Sequence, residues 1–125
     1  MSEDAQDVVL IVEDDESILT VLSAYLSGEG YRVLEAENGE EAFKILASKP
    51  HLDMMITDFR LPGGISGVQI AEPAVRLRPE LKVIFISGYA QEVRETDSPI
   101  TRTAPILDKP FDLDELQRIM RTMLS

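Results

Sequence analysis

The feature that most constrains this chain is a strict alternation of short apolar runs with amphipathic stretches. Val8 to Val12 reads VVLIV, a continuous apolar run rich in β-branched residues. A strand covered on one face alternates apolar with polar residues, so a continuous run belongs to a strand buried on both. Arg32 to Glu37, Met54 to Thr57, Val83 to Ser87 and Pro105 to Asp108 read as four further strands. Between them apolar residues recur at helical spacing. Ile18, Val21, Leu22, Tyr25 and Leu26 mark one helix, and Ala42, Phe43, Ile45 and Leu46 a second over Glu40 to Ser48, after an Asn38-Gly39 turn. A third spans Val68 to Arg78, with Pro73 expected to kink or restart it. Residues 89 to 103 offer only a short helix near Gln91 to Thr96. The last helix reaches Leu124 with Leu116, Ile119, Met120, Met123 and Leu124 as its buried stripe. Asp112 is expected as its N-cap, with Glu115 three residues on in a pattern that resembles a capping box.

Apolar strands alternating with helices call for a parallel sheet covered on both faces. Right-handed crossovers and five strands then point to a doubly wound α/β, flavodoxin-like (βα)5 fold with strand order 2-1-3-4-5. We expect a single domain over residues 1–125, with 1–7 as a flexible N-terminal tail. No apolar run approaches the length of a membrane span, and the MSEDAQDVV start is polar and acidic, unlike a signal peptide. There are no cysteines, and the expected location is cytoplasmic. The formal net charge of −11 repels nucleic-acid phosphates, so no direct nucleic-acid partner is expected.

In an open α/β sheet, ligands bind outside the carboxyl ends of the strands, where the strand order reverses. At those ends stand Glu13, Asp14, Asp15 and Glu16, then Asp58, then Ser87, then Lys109. Each has an ordinary structural explanation. Acids after a strand suit the positive end of a helix, Asp58 and Ser87-Gly88 suit turns, and a lysine before a proline suits a solvated loop. Together they supply carboxylates, a hydroxyl and an amine at one sheet edge. Carboxylates gathered in one crevice repel unless a cation lies between them, and hard oxygen donors without His or Cys match Mg²⁺. Such a set can neutralise a phosphoryl group held on Asp58.

The segments IVEDDES, MITDFRLPGG, ISGYA and LDKPF resemble the four signature segments of response regulator receiver domains, and the likeness runs from Val8 to Leu124. The resemblance implies that Asp58 is the phosphoacceptor. It implies that Asp14 is a direct Mg²⁺ ligand, Glu13 a ligand through water, and the backbone carbonyl of Arg60 a further ligand beside Asp58. Ser87 then bonds a phosphoryl oxygen, and Lys109 pairs with Asp58 and later with the phosphoryl group. The Lys109–Pro110 peptide resembles the family's cis bond. The implied donor is a phosphohistidine on a sensor histidine kinase or histidine phosphotransfer protein, and the output is contact with a downstream protein target. His51 is not a donor; it reads as a surface loop residue. The protein is not expected to be an enzyme beyond its own phosphorylation and dephosphorylation. It is expected as a monomer or a phosphorylation-dependent dimer, either as a stand-alone receiver or as one from a hybrid kinase.

Four features depart from the family pattern. Ile106 stands where an aromatic switch residue is common. PGGISG is one residue longer than the usual loop and reads as a flexible connector. Pro73 and the weak helix over 89–103 are the other two. Arg60 and Tyr89, two residues past Asp58 and Ser87, are expected to overhang and shield the phosphoryl site. Two rivals remain open: a pseudo-receiver that binds partners without phosphorylation, and a small hydrolase of phosphate esters.

Overall fold

The computed structural model describes residues 6–48, 51–88, 90–96 and 98–125. Five parallel strands form one sheet in the order β2-β1-β3-β4-β5. These are β1 (Val8–Val12), β2 (Arg32–Ala36), β3 (Met54–Asp58), β4 (Lys82–Ser87) and β5 (Ile106–Asp108). The helices are α1 (Glu16–Gly28), α2 (Gly39–Ala47), α3 (Gly67–Leu77), α4 (Ala90–Glu95), α5 (Pro99–Thr103) and α6 (Leu113–Leu124). All four strand pairings are parallel.

Alternate residues of each central strand feed two separate cores. Leu10, Val12, Met55, Val83 and Phe85 pack with α2, α3 and α4 through Leu46, Ile70, Ala74 and Val93. Val9, Ile11, Met54, Ile56, Ile84 and Ile86 pack on the other face with α1 and α6 through Leu22, Leu26, Leu116 and Met120. This two-sided burial is why the strands are apolar runs and not alternating ones. All five residues of β3 are buried, Asp58 included.

Helix starts follow the side chains available to satisfy orphan N–H groups. Asp15 caps α1, accepting from Ser17 N and Ile18 N at 2.9 and 3.2 Å. Asn38 is the N-cap of α2, accepting from Glu41 N at 2.8 Å, so the expected Asn38-Gly39 turn is a helix start. Asp112 caps α6, accepting from Asp114 N at 2.8 Å and not from Glu115 N, so the expected capping box with Glu115 is not formed. A reciprocal capping box joins Ser66 and Gln69 at α3.

Two further local expectations are corrected, and a third is extended. Pro73 does not restart its helix: α3 runs unbroken from Gly67 to Leu77. Its capped start and the buried stripe of Val68, Ile70, Ala71 and Ala74 hold it against the sheet despite the lost donor. The PGGISG loop is folded back on α2. Pro62–Gly64 is a 3-10 turn, Gly63 and Gly64 sit at φ 85° and 78°, and Ile65 packs so tightly on Gly39 that a β-carbon there would lie 2.8 Å from its Cγ2. The short helix expected near Gln91 to Thr96 is present as α4, and a second, α5, which the sequence reading did not anticipate, follows it from Pro99. Residues 1–5 of the expected tail lie outside the described residues. Asp7 O accepts from Arg32 N at 2.9 Å, and Gln6 Nε2 donates to Gly30 O at 3.0 Å. Among the described residues, no helix is long and apolar enough to cross a membrane.

Candidate functional site

Parallel pairing brings the carboxyl ends of β1, β3, β4 and β5 to one edge. Val12 pairs with Thr57, Asp58 with Ile86, and Ser87 with Asp108. The residues leaving these ends therefore share one crevice. Glu13 and Asp58 are buried and Asp14 is exposed, and a ligand oxygen from each lies within 4.8 Å of the others. Asp15 and Glu16 point to solvent, where Asp15 serves as the α1 cap.

Lys109 reaches into this crevice from the end of β5. Its Nζ donates to Asp58 Oδ2 at 3.0 Å and stands 3.0 Å from Glu13 Oε1. The second contact is a charge pairing only, since Glu13 Oε1 is buried without a hydrogen-bond donor. Glu13 Oε2 accepts from Asp15 N at 3.0 Å. Lys109 N donates to Ser87 O at 2.9 Å, which locks the start of the β5–α6 loop to the end of β4. The Lys109–Pro110 peptide is cis.

The charges respond to burial and to one another. Burial pushes the Glu13 carboxyl up to about 7, with the Asp58 charge adding to the rise while the Asp15 N–H and Lys109 oppose it. Burial works against the Lys109 ammonium, but Asp58 and Glu13 outweigh it and hold its pKa above the ordinary lysine value. Three carboxylates against one ammonium leave the crevice short of positive charge. Glu13 Oε1 is an orphaned acceptor, and every side-chain donor in the cluster is a hard oxygen. These residues fit a hard divalent cation held by Glu13, Asp14 and Asp58.

The other expected site residues divide. Ser87 is buried at the end of β4, beside the crevice. Arg60 is exposed, and its guanidinium is turned to Glu92 on α4 through Nε–Oε1 at 2.8 Å and a second contact from Nη2 to Oε2. That pairing also draws the Glu92 carboxyl below its ordinary pKa. Ile106 is half-buried against the α2–α4 core and lines a cleft with Arg94, Thr101, Arg102 and Ala104. Tyr89 lies outside the described residues. His51 is exposed, 3.1 Å from Asp53 Oδ1, at the opposite edge of the sheet.

Two positioning residues escaped the sequence reading. A β-carbon on Gly67 would lie 2.3 Å from the Asp58 carbonyl oxygen, so only glycine lets α3 start against the end of β3. Its N–H donates to Phe59 O at 2.8 Å. Thr57 Oγ1, fully buried, donates to the same Asp58 carbonyl at 2.9 Å. The legible signal was a glycine at the first helical position, where a capping box already suffices to start the helix.

A doubly wound sheet that gathers an acidic cluster and one lysine where its strand order reverses defines an α/β domain with a charged site at the carboxyl edge of the sheet. The family description of the response regulator receiver domain matches residues 9–121. The response regulator receiver protein CpdR of Brucella abortus is 34% identical over 116 residues, covering 93% of this chain and 95% of that protein. Sensor kinase CckA of Brucella abortus is 31% identical over 94% of this chain, which spans 12% of that much longer protein. Among solved structures, TrrA of Thermotoga maritima, a response regulator protein in complex with Mg²⁺–BeF, superposes with a TM-score of 0.81 at 32% identity, covering 95% of this chain and 100% of that one. The receiver domain of hybrid histidine kinase CckA superposes with a TM-score of 0.79 at 33% identity, covering 94% and 99%. The chain belongs to the response regulator receiver domain family and is a receiver domain of two-component signalling.

Proposed function

We propose that this receiver accepts a phosphoryl group on Asp58 in a Mg²⁺-dependent reaction and thereby switches a protein–protein contact. The observation that carries the reading is the Lys109 ammonium set 3.0 Å from both Asp58 Oδ2 and Glu13 Oε1, beside three carboxylates gathered within 4.8 Å. An Asp58 oxygen attacks the phosphorus of a phosphohistidine. The P–N bond breaks as the P–O bond forms, and the electron pair leaves with the imidazole nitrogen, which then takes a proton. Mg²⁺, held by Glu13, Asp14, Asp58 and the Arg60 carbonyl, would supply charge neutralisation.

Lys109 passes from the Asp58 carboxylate to the phosphoryl oxygens, and Ser87, buried at the end of β4, offers its hydroxyl to another. Thr57 Oγ1 donates to the Asp58 carbonyl and Gly67 N to that of Phe59, which anchors the backbone that carries the nucleophile. The donor is a sensor histidine kinase or a histidine phosphotransfer protein, and the output is a contact with a downstream protein, made by a monomer or by a phosphorylation-dependent dimer in the cytoplasm. The chain turns over no other substrate.

Incubation with Mg²⁺ and phosphoramidate or acetyl phosphate, followed by intact mass measurement, tests the reading. A single phosphoryl adduct that disappears in Asp58→Asn is the expected result. No adduct in the wild type identifies a pseudo-receiver. Continuing release of phosphate without an adduct identifies a hydrolase.

A further inference from the structure

Helix α4 is six residues long, too short to persist on its own hydrogen bonds. Val93 anchors it in the core. The far end of the α4–α5 segment is pinned in the interior. Buried Ser98 donates to Glu72 Oε2 of α3 at 2.6 Å, and buried Thr101 donates to Thr96 O and Ser98 O at 2.7 and 2.8 Å. The end nearer the phosphorylation site is held differently. Arg60, two residues beyond Asp58, grips Glu92 with Nε and Nη2, a two-pronged pairing of guanidinium and carboxylate. The two side chains are 63% and 38% exposed, so solvent and salt screen the pair and it breaks at small cost.

We infer that the Arg60–Glu92 pair is a releasable latch on α4, and that a phosphoryl group on Asp58 opens it by drawing the Arg60 guanidinium off Glu92. The inference rests on the phosphoacceptor reading above. Phosphorylation turns the singly charged Asp58 carboxylate, two residues from Arg60, into an acyl phosphate with close to two negative charges and three strong acceptor oxygens. A planar guanidinium matches phosphoryl oxygens as well as it matches a carboxylate, and the more highly charged partner wins. Only the near end of the segment is then freed, because Ser98 and Thr101 hold the far end. Glu92 and the phosphoryl group thus compete for one cation. Competition is reciprocal: whatever removes Glu92 must strengthen phosphoryl binding by the same factor that phosphoryl binding weakens the latch.

Beryllofluoride with Mg²⁺, a stable stand-in for the phosphoryl group, gives an equilibrium test. Its affinity is measured by calorimetry, and opening of α4 by amide exchange over residues 90–95. In the wild type, beryllofluoride should speed exchange in α4. Glu92→Gln should exchange quickly without it and bind it about two- to five-fold more tightly, the range that a surface ion pair allows. Arg60→Gln should also exchange quickly but bind it more weakly, having lost the cation. Adding Glu92→Gln to Arg60→Gln should change the affinity no further. Two independent nearby charges would also give opposite signs, but their effects would add in the double variant, so an affinity that Glu92→Gln no longer changes once Arg60 is gone is what marks the latch; an additive double variant overturns it. Unchanged or weaker binding by Glu92→Gln overturns the latch, as does wild-type α4 exchange that ignores beryllofluoride. If the wild type binds no beryllofluoride in Mg²⁺, the phosphoacceptor reading falls and the latch falls with it.

Discussion

Gly67→Ala is the sharpest test of how the fold positions its nucleophile. The added β-carbon would lie 2.3 Å from the Asp58 carbonyl oxygen and 3.1 Å from Thr57 Oγ1. The near neighbour is backbone in a fully buried strand, so it cannot swing aside. Either α3 moves off the end of β3 or β3 bends, and both weaken the 2.8 Å Gly67 N–Phe59 O bond. Overpacking of this kind costs about 1–3 kcal/mol. The lost hydrogen bond adds about 1 kcal/mol. The stiffer unfolded chain returns about 0.4–1 kcal/mol. The net destabilisation is about 2–3 kcal/mol, which for a domain of this size lowers Tm by roughly 8–12 °C. Thermal denaturation followed by circular dichroism reads this directly. Gly28→Ala is the control, because nothing lies within 4 Å of its added carbon at the end of α1. It should leave Tm unchanged or raise it slightly. A Gly67→Ala protein within about 0.5 kcal/mol of wild type, the scatter of ordinary surface changes, would refute the reasoning.

Two further outcomes follow from the same structure. Glu13 titrates near 7 in the folded protein against 4.5 in the unfolded chain, so between these values the native state binds the extra proton. Stability in metal-free buffer should therefore fall as pH rises from 4.5 to 7, and Glu13→Gln should flatten the profile; a wild-type stability that rises across this window contradicts the burial assigned to Glu13. Pro73→Ala should restore a helical N–H inside α3 and stabilise the protein by about 1–3 kcal/mol in urea unfolding. A loss of stability there would show that the Pro73 ring contributes more by packing than its missing donor costs.

The strands and the residues at their carboxyl ends were legible because each is a local signal. VVLIV and VIFIS, short, rich in β-branched residues and alternating with helical stretches, suit doubly buried strands, and the parallel sheet then brings Glu13, Asp58, Ser87 and Lys109 to one edge. The rest depends on distance in space. Gly67 reads as an ordinary loop glycine until its approach to the Asp58 carbonyl is seen. Asn38 before Gly39 has the chemistry of both a turn and an N-cap, and the helix that follows decides. Pro73 breaks a helix by propensity, yet tertiary burial of its neighbours keeps α3 whole. Arg60 was expected to overhang the phosphoryl site, but its guanidinium is turned to Glu92, 32 residues away on α4, a pairing that no local pattern encodes.

The central claim is that Asp58 carries the phosphoryl group. Borohydride reduces an aspartyl phosphate to homoserine at the modified position and leaves free carboxylates untouched. The protein treated with phosphoramidate and Mg²⁺, then with borohydride, digested and analysed by mass spectrometry, should show homoserine at position 58 alone. Homoserine at Asp14 or another aspartate, 5-hydroxynorvaline at a glutamate such as Glu13, or no reduced residue at all would contradict the account.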